Sequence, residues 1–241
     1  MDERVEAAAE LVIAGERMRL LADRALYWPA RNRLLIADLH LGKGDILRSA
    51  GIPVPSGGTR HDLSRLGALL EATGAHQIWI LGDFLHGARH PRVEAAWRRF
   101  LAAHPGCSAS VIAGNHDRAL VPDAAGLVHL PDDVRDGPFR FRHMPVEGPG
   151  AAQASAPPAL PPDGQAHVIC GHLHPVVRLP GLRSRFPALA LDPGQTILPA
   201  FSAFTGGWLL EGERSWIACA HGAVVGHRDS GWRAQAGEPG G

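Results

Sequence analysis

Lysine is almost absent from this sequence. Lys43 is the only one, and the other 23 of the 24 cationic side chains are arginine. Cysteine is scarce as well. Cys107, Cys170 and Cys219 lie far apart with no C-x-x-C spacing, which reads as buried thiols rather than a disulfide framework or a zinc ribbon. No segment reaches the uninterrupted apolar length of a membrane span. The N-terminal MDERVEAAAE is acidic and lacks the charged-then-apolar pattern of a signal peptide, so the expected compartment is the cytoplasm. Net charge is absent too: Lys+Arg and Asp+Glu both total 24. That excludes a broad basic surface and makes any nucleic-acid contact local and salt-sensitive. The 241 residues, 45% hydrophobic, fit one large or two small globular domains. What the chain does have is histidine, 14 in all.

The organising stretch is LLIADLHLGK, residues 34–43. It opens as a buried-strand run and ends in Asp38 and His40. On an extended chain residues i and i+2 point the same way, so the carboxylate and imidazole would aim at one place. The single lysine falls three positions after His40. Two readings of Lys43 stand side by side: an ammonium facing a phosphate or carboxylate near the site, and a solvated loop residue.

Before this stretch, short apolar runs between residues 10 and 36 predict an antiparallel meander. After it, the pattern predicts a short helix over 45–50, then a helix from Thr59 to Gly74 capped by Thr59 and Asp62. A strand follows over Gln77–Leu81, then a helix opening at Pro91 and a strand over Ala109–Ala113. This alternation predicts parallel pairing in an α/β core, with a site at the carboxyl ends of the strands. The second half predicts more strand: 139–142, 167–170, and runs within 186–199 and 215–225. Residues 147–166, rich in Pro, Ala and Gly, read as a flexible surface insertion, and 230–241 as a frayed tail. The expected organisation is one domain over 1–229.

Five segments share one design, an apolar run ending in a turn that carries Asp, Asn or His. They are Asp38-Leu39-His40, Gly82-Asp83, Gly114-Asn115-His116-Asp117, His143, and Gly171-His172-Leu173-His174. Imidazole and carboxylate donors suit manganese, iron or zinc, and no cysteine lies in any of the five turns. In this order the motifs resemble those of the calcineurin-like metallophosphoesterase superfamily. The resemblance implies a four-layer α-β-β-α sandwich, two mixed sheets face to face with helices outside. It implies that Asp38, His40 and His174 hold one metal, that Asn115, His143 and His172 hold a second, and that Asp83 bridges them. His116 would be the non-ligand histidine beside the scissile phosphate. Two divalent cations about 3.5–4 Å apart clamp the oxygens of an anionic diester and acidify a water, whose hydroxide attacks phosphorus in line. His116 would assist the leaving group. Asp117 reads as orienting a histidine or capping a turn. His86 either touches substrate or faces water. The remaining histidines (61, 76, 90, 104, 129, 167, 221 and 227) read as ordinary surface or packed residues.

Within the superfamily, ADLHLGK, GIPVP, GDFLHGAR, GNHD, GHLHP and ILPAFSAFTGG are similar to the bacterial ligase-associated DNA-damage-response endonuclease family, PdeM. That similarity implies a manganese-dependent phosphodiesterase or endonuclease acting on DNA, associated with a DNA ligase, a helicase and an exonuclease. The neutral charge does not by itself establish DNA as the substrate. Two alternatives remain: a small-molecule phosphoesterase such as a nucleotide-lipid pyrophosphatase, and a non-catalytic protein-binding scaffold. The first usually has an apolar lid, and no amphipathic helical insert is visible. The second usually loses ligands, and here all are intact. Phe84, Phe201, Phe204 and Trp208 could stack on unpaired bases, although core packing explains most of them; truncating Phe204 would test such a role.

Overall fold

The computed structural model describes residues 7–87, 89–146, 165–212 and 214–226. The expected meander is present: β1 (Ala8–Ile13), β2 (Glu16–Leu21), β3 (Ala25–Trp28) and β4 (Arg33–Ile36) pair antiparallel in turn. From β4 the sheet becomes parallel through β5 (Gln77–Leu81), β6 (Ser108–Ile112) and β7 (Val128–Leu130). Helices α1 (Lys43–Ser49) and α2 (Gly58–Thr73) join β4 to β5; α3 (Pro91–Ala103) joins β5 to β6, and α4 (Pro122–Ala125) precedes β7. Parallel neighbours need such crossovers, which carry each strand's carboxyl end to the same side.

A second mixed sheet follows. It contains β8 (Asp133–Asp136), β9 (Phe139–Arg142), β10 (His167–Cys170), β11 (Pro175–Arg178), β12 (Arg185–Asp192), β13 (Gln195–Ile197), β14 (Trp208–Leu209), β15 (Ser215–Ala220) and β16 (Ala223–Gly226). Here β10 runs parallel to both β9 and β13.

Alternation along the strands of the first sheet sorts two cores. Leu34, Ile36, Ile78, Ile80 and Val111 pack with Leu66 and Leu70 of α2 and with Trp97 of α3. Leu35, Trp79, Leu81 and Ile112 face the other way, onto Phe139, Phe141, Ile169 and Leu189 of the second sheet. The sandwich of two mixed sheets is therefore built as expected. Among the described residues no helix follows Ala125. On the second sheet's outer side Val168, Cys170, Ala190 and Ile197 cluster with Leu173 and Leu210. Aromatic edges lock the seam between sheets: Trp28 meets Phe139 at 5.0 Å, and Trp79 meets Phe141 at 5.1 Å between centroids. Arg33 of β4 reaches Asp136 of β8 at 2.9 Å while its guanidinium lies 3.7 Å from the Trp79 ring centroid.

One expectation fails locally. Gly57, left-handed at φ +88°, caps α2 without a side-chain bond. Thr59 instead accepts the Gly42 amide, and Asp62 is buried against Arg65 and the Ala203 amide. Both side chains join α2 to neighbouring loops rather than closing its first turn. Of the stretch 147–166, only Gln165 and Ala166 fall within the described residues, and the tail at 230–241 lies outside them. No helix among the described residues is long and apolar enough to cross a membrane.

Two stability measurements follow from this packing. Phe141 is fully buried between the sheets, so Phe141→Ala should lower unfolding free energy by about 3–5 kcal/mol in urea titrations. His167 is buried in β10, bonded through Nε2 to Thr196 at 2.9 Å and without a partner at Nδ1. Burial pushes its pKa down to about 4. The unfolded chain, whose histidines titrate at about 6.5, binds the proton first. The stability contribution is therefore complete above about pH 6.5 and is lost as pH falls toward about 4. His167→Gln should flatten that part of the stability profile in metal-free protein; an unchanged slope would assign the acid sensitivity elsewhere.

Candidate metal centre

The seven predicted ligand positions converge where the carboxyl ends of β4, β5, β6, β9 and β10 meet. They do not arrive by the extended geometry expected from D-x-H spacing. β4 stops at Ile36, and Asp38 and His40 both adopt left-handed backbone, with φ of 55° and 47°. Asp83, His172 and His174 do the same, at 51°, 72° and 51°. Non-glycine residues rarely occupy this region, and such strain tends to collect at functional sites. Backbone bonds hold these turns: Asp38 N donates to Gly82 O at 3.2 Å and His40 N to Asp83 O at 2.7 Å.

Two donor groups share one residue. Asp38, His40, Asp83 and His174 bring ligand atoms within 4.8 Å of one another, and so do Asp83, His143 and His172. Asp83 belongs to both, as a bridging carboxylate must. His143 Nε2 lies 3.7 Å from Asp83 Oδ1, and His40 Nε2 lies 3.7 Å from Asp83 Oδ2. Asn115 lies beside the second group, its Oδ1 3.0 Å from His143 Nε2. The donors are poorly satisfied by the protein itself. Asp38 Oδ1, His40 Nε2 and His174 Nε2 are buried and have no hydrogen-bond partner. Such orphaned atoms are costly unless something else meets them, and their types suit a divalent cation. His143 Nδ1 lies 3.1 Å from Leu81 O. If the proton sits there, Nε2 keeps its lone pair toward the centre. Burial first, then Lys43 and the neighbouring histidines, push His40 down to about 2, so this imidazole is neutral and free to donate its lone pair.

The family pattern for calcineurin-like phosphoesterases matches residues 32–174. The chain belongs to that family. A solved structure, the Pseudomonas putida nuclease MPE, is 33% identical; the alignment spans 88% of this chain and 96% of the nuclease, with a TM-score of 0.72. Weaker likenesses include AQ665 from Aquifex aeolicus (17% identity, 59% of this chain, 78% of that one, TM-score 0.40). Another is YfcE, a phosphoesterase from E. coli (18% identity, 77% and 86%, TM-score 0.38). No curated protein matches the chain. As a family member with this donor set, the protein is a metal-dependent phosphoesterase hydrolase.

The residues around this phosphoesterase centre sort as follows. His116 is half-buried at its rim, its amide donating to Asp83 Oδ1 at 2.9 Å and its ring stacked on His86 at 4.8 Å between centroids. His86 also lies 3.4 Å from His40, Nδ1 to Nδ1, so it is part of the cluster's edge and not a stray surface histidine. Lys43 is drawn in as well. Burial lowers its pKa, while Asp38 and Asp83 oppose the shift. Asp117 caps two turns at once and touches no histidine ring. It accepts Phe84 N, Leu85 N and Gly114 N, at 3.1, 2.8 and 2.9 Å. Phe84 and Phe201 are core residues. Phe204 packs over Gly58 and Gly44, where an added Cβ at Gly58 would collide with its ring. Its first role is therefore to seat the 201–207 loop on α1 and α2. Sequence reasoning missed the supports behind that loop: Arg24 Nη1 bonds Ser202 O at 2.9 Å, and Arg65 Nη1 bonds Phe201 O at 2.9 Å. No spacing pattern marks such arginines. Of the other histidines, His90 caps α3 and His104 packs on Phe100, as their ordinary reading requires; His227 lies outside the described residues.

Gly82 provides a steric test. It stands at φ +87°, and a Cβ there would collide with the His143 imidazole. Gly82→Ala should therefore reproduce the effect of His143→Ala in calorimetric manganese titrations, with the weaker binding event lost and the thermal midpoint lowered. Titration curves that match the wild type would show that His143 does not hold a metal.

Proposed function

We propose that the protein is a dinuclear phosphodiesterase whose natural substrate is DNA, acting as an endonuclease in DNA repair. The observation that carries the reading is the pair of donor groups sharing Asp83. Asp38, His40 and His174 would hold one cation, Asn115, His143 and His172 the second, with Asp83 between them. Bound there, two divalent cations, manganese in our reading, supply Lewis acidity and lower the pKa of water at the scissile phosphate. The chain's own side chains do the rest. The buried carboxylates and the imidazoles held in these turns fix the donors before substrate arrives, so little reorganisation is needed at the moment of reaction. His116, at the rim, would give a proton to the leaving oxygen. His86 holds the His116 ring by stacking. Lys43 adds positive charge beside the diester.

The DNA assignment is supported by the likeness to a nuclease over most of both chains and by the PdeM-like motif order. A ligase, a helicase and an exonuclease are the expected functional associates. We take residues 1–229 as one domain, because both sheets contribute ligands to one centre, and the cytoplasm as its compartment. The three cysteines are unpaired.

The test is covalently closed single-stranded circular DNA with manganese, beside His116→Ala. Wild type should yield linear fragments, and the variant should be slower by about 10²–10⁴-fold. Intact circles with an aryl phosphodiester still hydrolysed would sink the DNA reading and favour a small-molecule phosphoesterase.

A further inference from the structure

Beside the metal centre, α1, α2 and α3 enclose an open groove of about 890 Å³. Its lining takes Gly44 and Asp45 of α1 together with residues of α2 and α3. Its floor is apolar, with Leu63 of α2 and Val93 and Phe100 of α3 all buried. Its walls carry Arg48, Arg60, Arg92 and Arg99 against Asp45 and Glu71. Arg48 is committed to Asp45 and to Pro55 O. The other three guanidiniums are exposed and have neither an ion pair nor a hydrogen bond among the described residues. Several arginines elsewhere are matched: Arg31 and Arg33 with Asp136, Arg89 with Glu94, Arg140 with Asp133, Arg214 with Asp192.

We infer that this groove is the track for a single nucleic-acid strand entering the metal centre, with Arg60, Arg92 and Arg99 contacting its phosphates. The inference rests on the phosphodiesterase reading above. Charge complementarity carries it: three unpaired cations face one cleft in a chain of zero net charge. Position carries it further. Gly44 lines the groove, and the residue before it, Lys43, donates its amide to His40 O at 3.1 Å. Arg92 and Arg99 lie seven residues apart on α3, about 10 Å along its axis, so contacts are spread along the cleft and not gathered at one point. The apolar floor suits sugar and base faces, which single strands leave uncovered.

The experiment compares wild type with a variant carrying Arg60→Ala, Arg92→Ala and Arg99→Ala together. Cleavage of a dye-labelled single-stranded oligonucleotide and hydrolysis of an aryl phosphodiester are both measured across a salt series. These are exposed side chains, so folding should survive, and the aryl diester, too short to enter the groove, reports the metal centre. The oligonucleotide KM should rise about tenfold or more. The slope of log KM against log salt should be shallower by about 2, because about 0.7 is lost per phosphate contact on a single strand. Lysine at the same three positions should restore much of both. Wild-type KM and salt slope in a variant with intact aryl activity would overturn the groove assignment. A variant that loses aryl hydrolysis as well would also overturn it, because the arginines would then serve the centre or the fold. Failure of the enclosing reading looks different: wild type itself would hydrolyse the aryl diester and leave every oligonucleotide intact.

Discussion

Five of the side chains facing the centre stand on left-handed backbone, and the surrounding structure depends on keeping them there. Each such residue costs about 1–2 kcal/mol, so five together approach the net stability of a whole domain. The offset comes from backbone pairing continued past the strand ends. Asp38, His40 and Leu41 donate in turn to Gly82, Asp83 and Phe84, which extends the β4–β5 ladder through the turns. Asp117 then ties residues 84–85 to Gly114 with one carboxylate. A second cost sits inside the first. Asp38 and Asp83 are almost fully buried, and a buried carboxylate needs a compensating charge. Strain and charge are thus concentrated in one small volume, and divalent metal bound there would relieve the second.

The site lies at the seam of the sandwich because neither sheet can build it alone. The first sheet supplies Asp38, His40, Asp83, Asn115 and His116 from three parallel strand ends. The second supplies His143, His172 and His174 from β9 and β10, which are parallel to each other. Parallel pairing within each half makes these ends coincide. The aromatic contacts of Trp28, Phe139, Trp79 and Phe141 hold the halves in register. Short links finish the joint: Phe201 N donates to Ala37 O, and Leu198 N donates to Cys170 O.

Much of this was legible in the residues. The apolar runs at 77–81 and 167–170 and the alternating FRFR at 139–142 became strands with those bounds, because a short apolar run or a period of two between turn signals leaves little other choice. The convergence of the seven candidate ligand positions was legible because each follows such a run. The conformation of the donors was not. Asp and His occupy left-handed backbone too rarely for sequence to announce it, and the strain is imposed by the neighbouring ladder. The short strands β8, β11 and β14 were not legible either: charged residues fill most of β8, Pro175 opens β11, and β14 is two residues long. The cap of α2 was misread because Thr59 and Asp62 satisfy a capping pattern and yet find tertiary partners instead.

Charge shows most sharply where composition stops being informative. Equal numbers of acids and bases imply no broad field, and several arginines here do sit beside carboxylates. But pairing removes charges locally, not evenly. Beyond about 10 Å at ordinary ionic strength the matched pairs contribute little, so what a ligand meets in a cleft is the unmatched remainder of its walls. In the groove of α1, α2 and α3 that remainder is three guanidiniums against one free acid, Glu71. Those side chains are spread from position 60 to position 99 and come together only because α2 and α3 pack side by side on the first sheet. A neutral chain can therefore hold an anionic polymer beside an anion-cleaving centre without the basic surface that its sequence lacks.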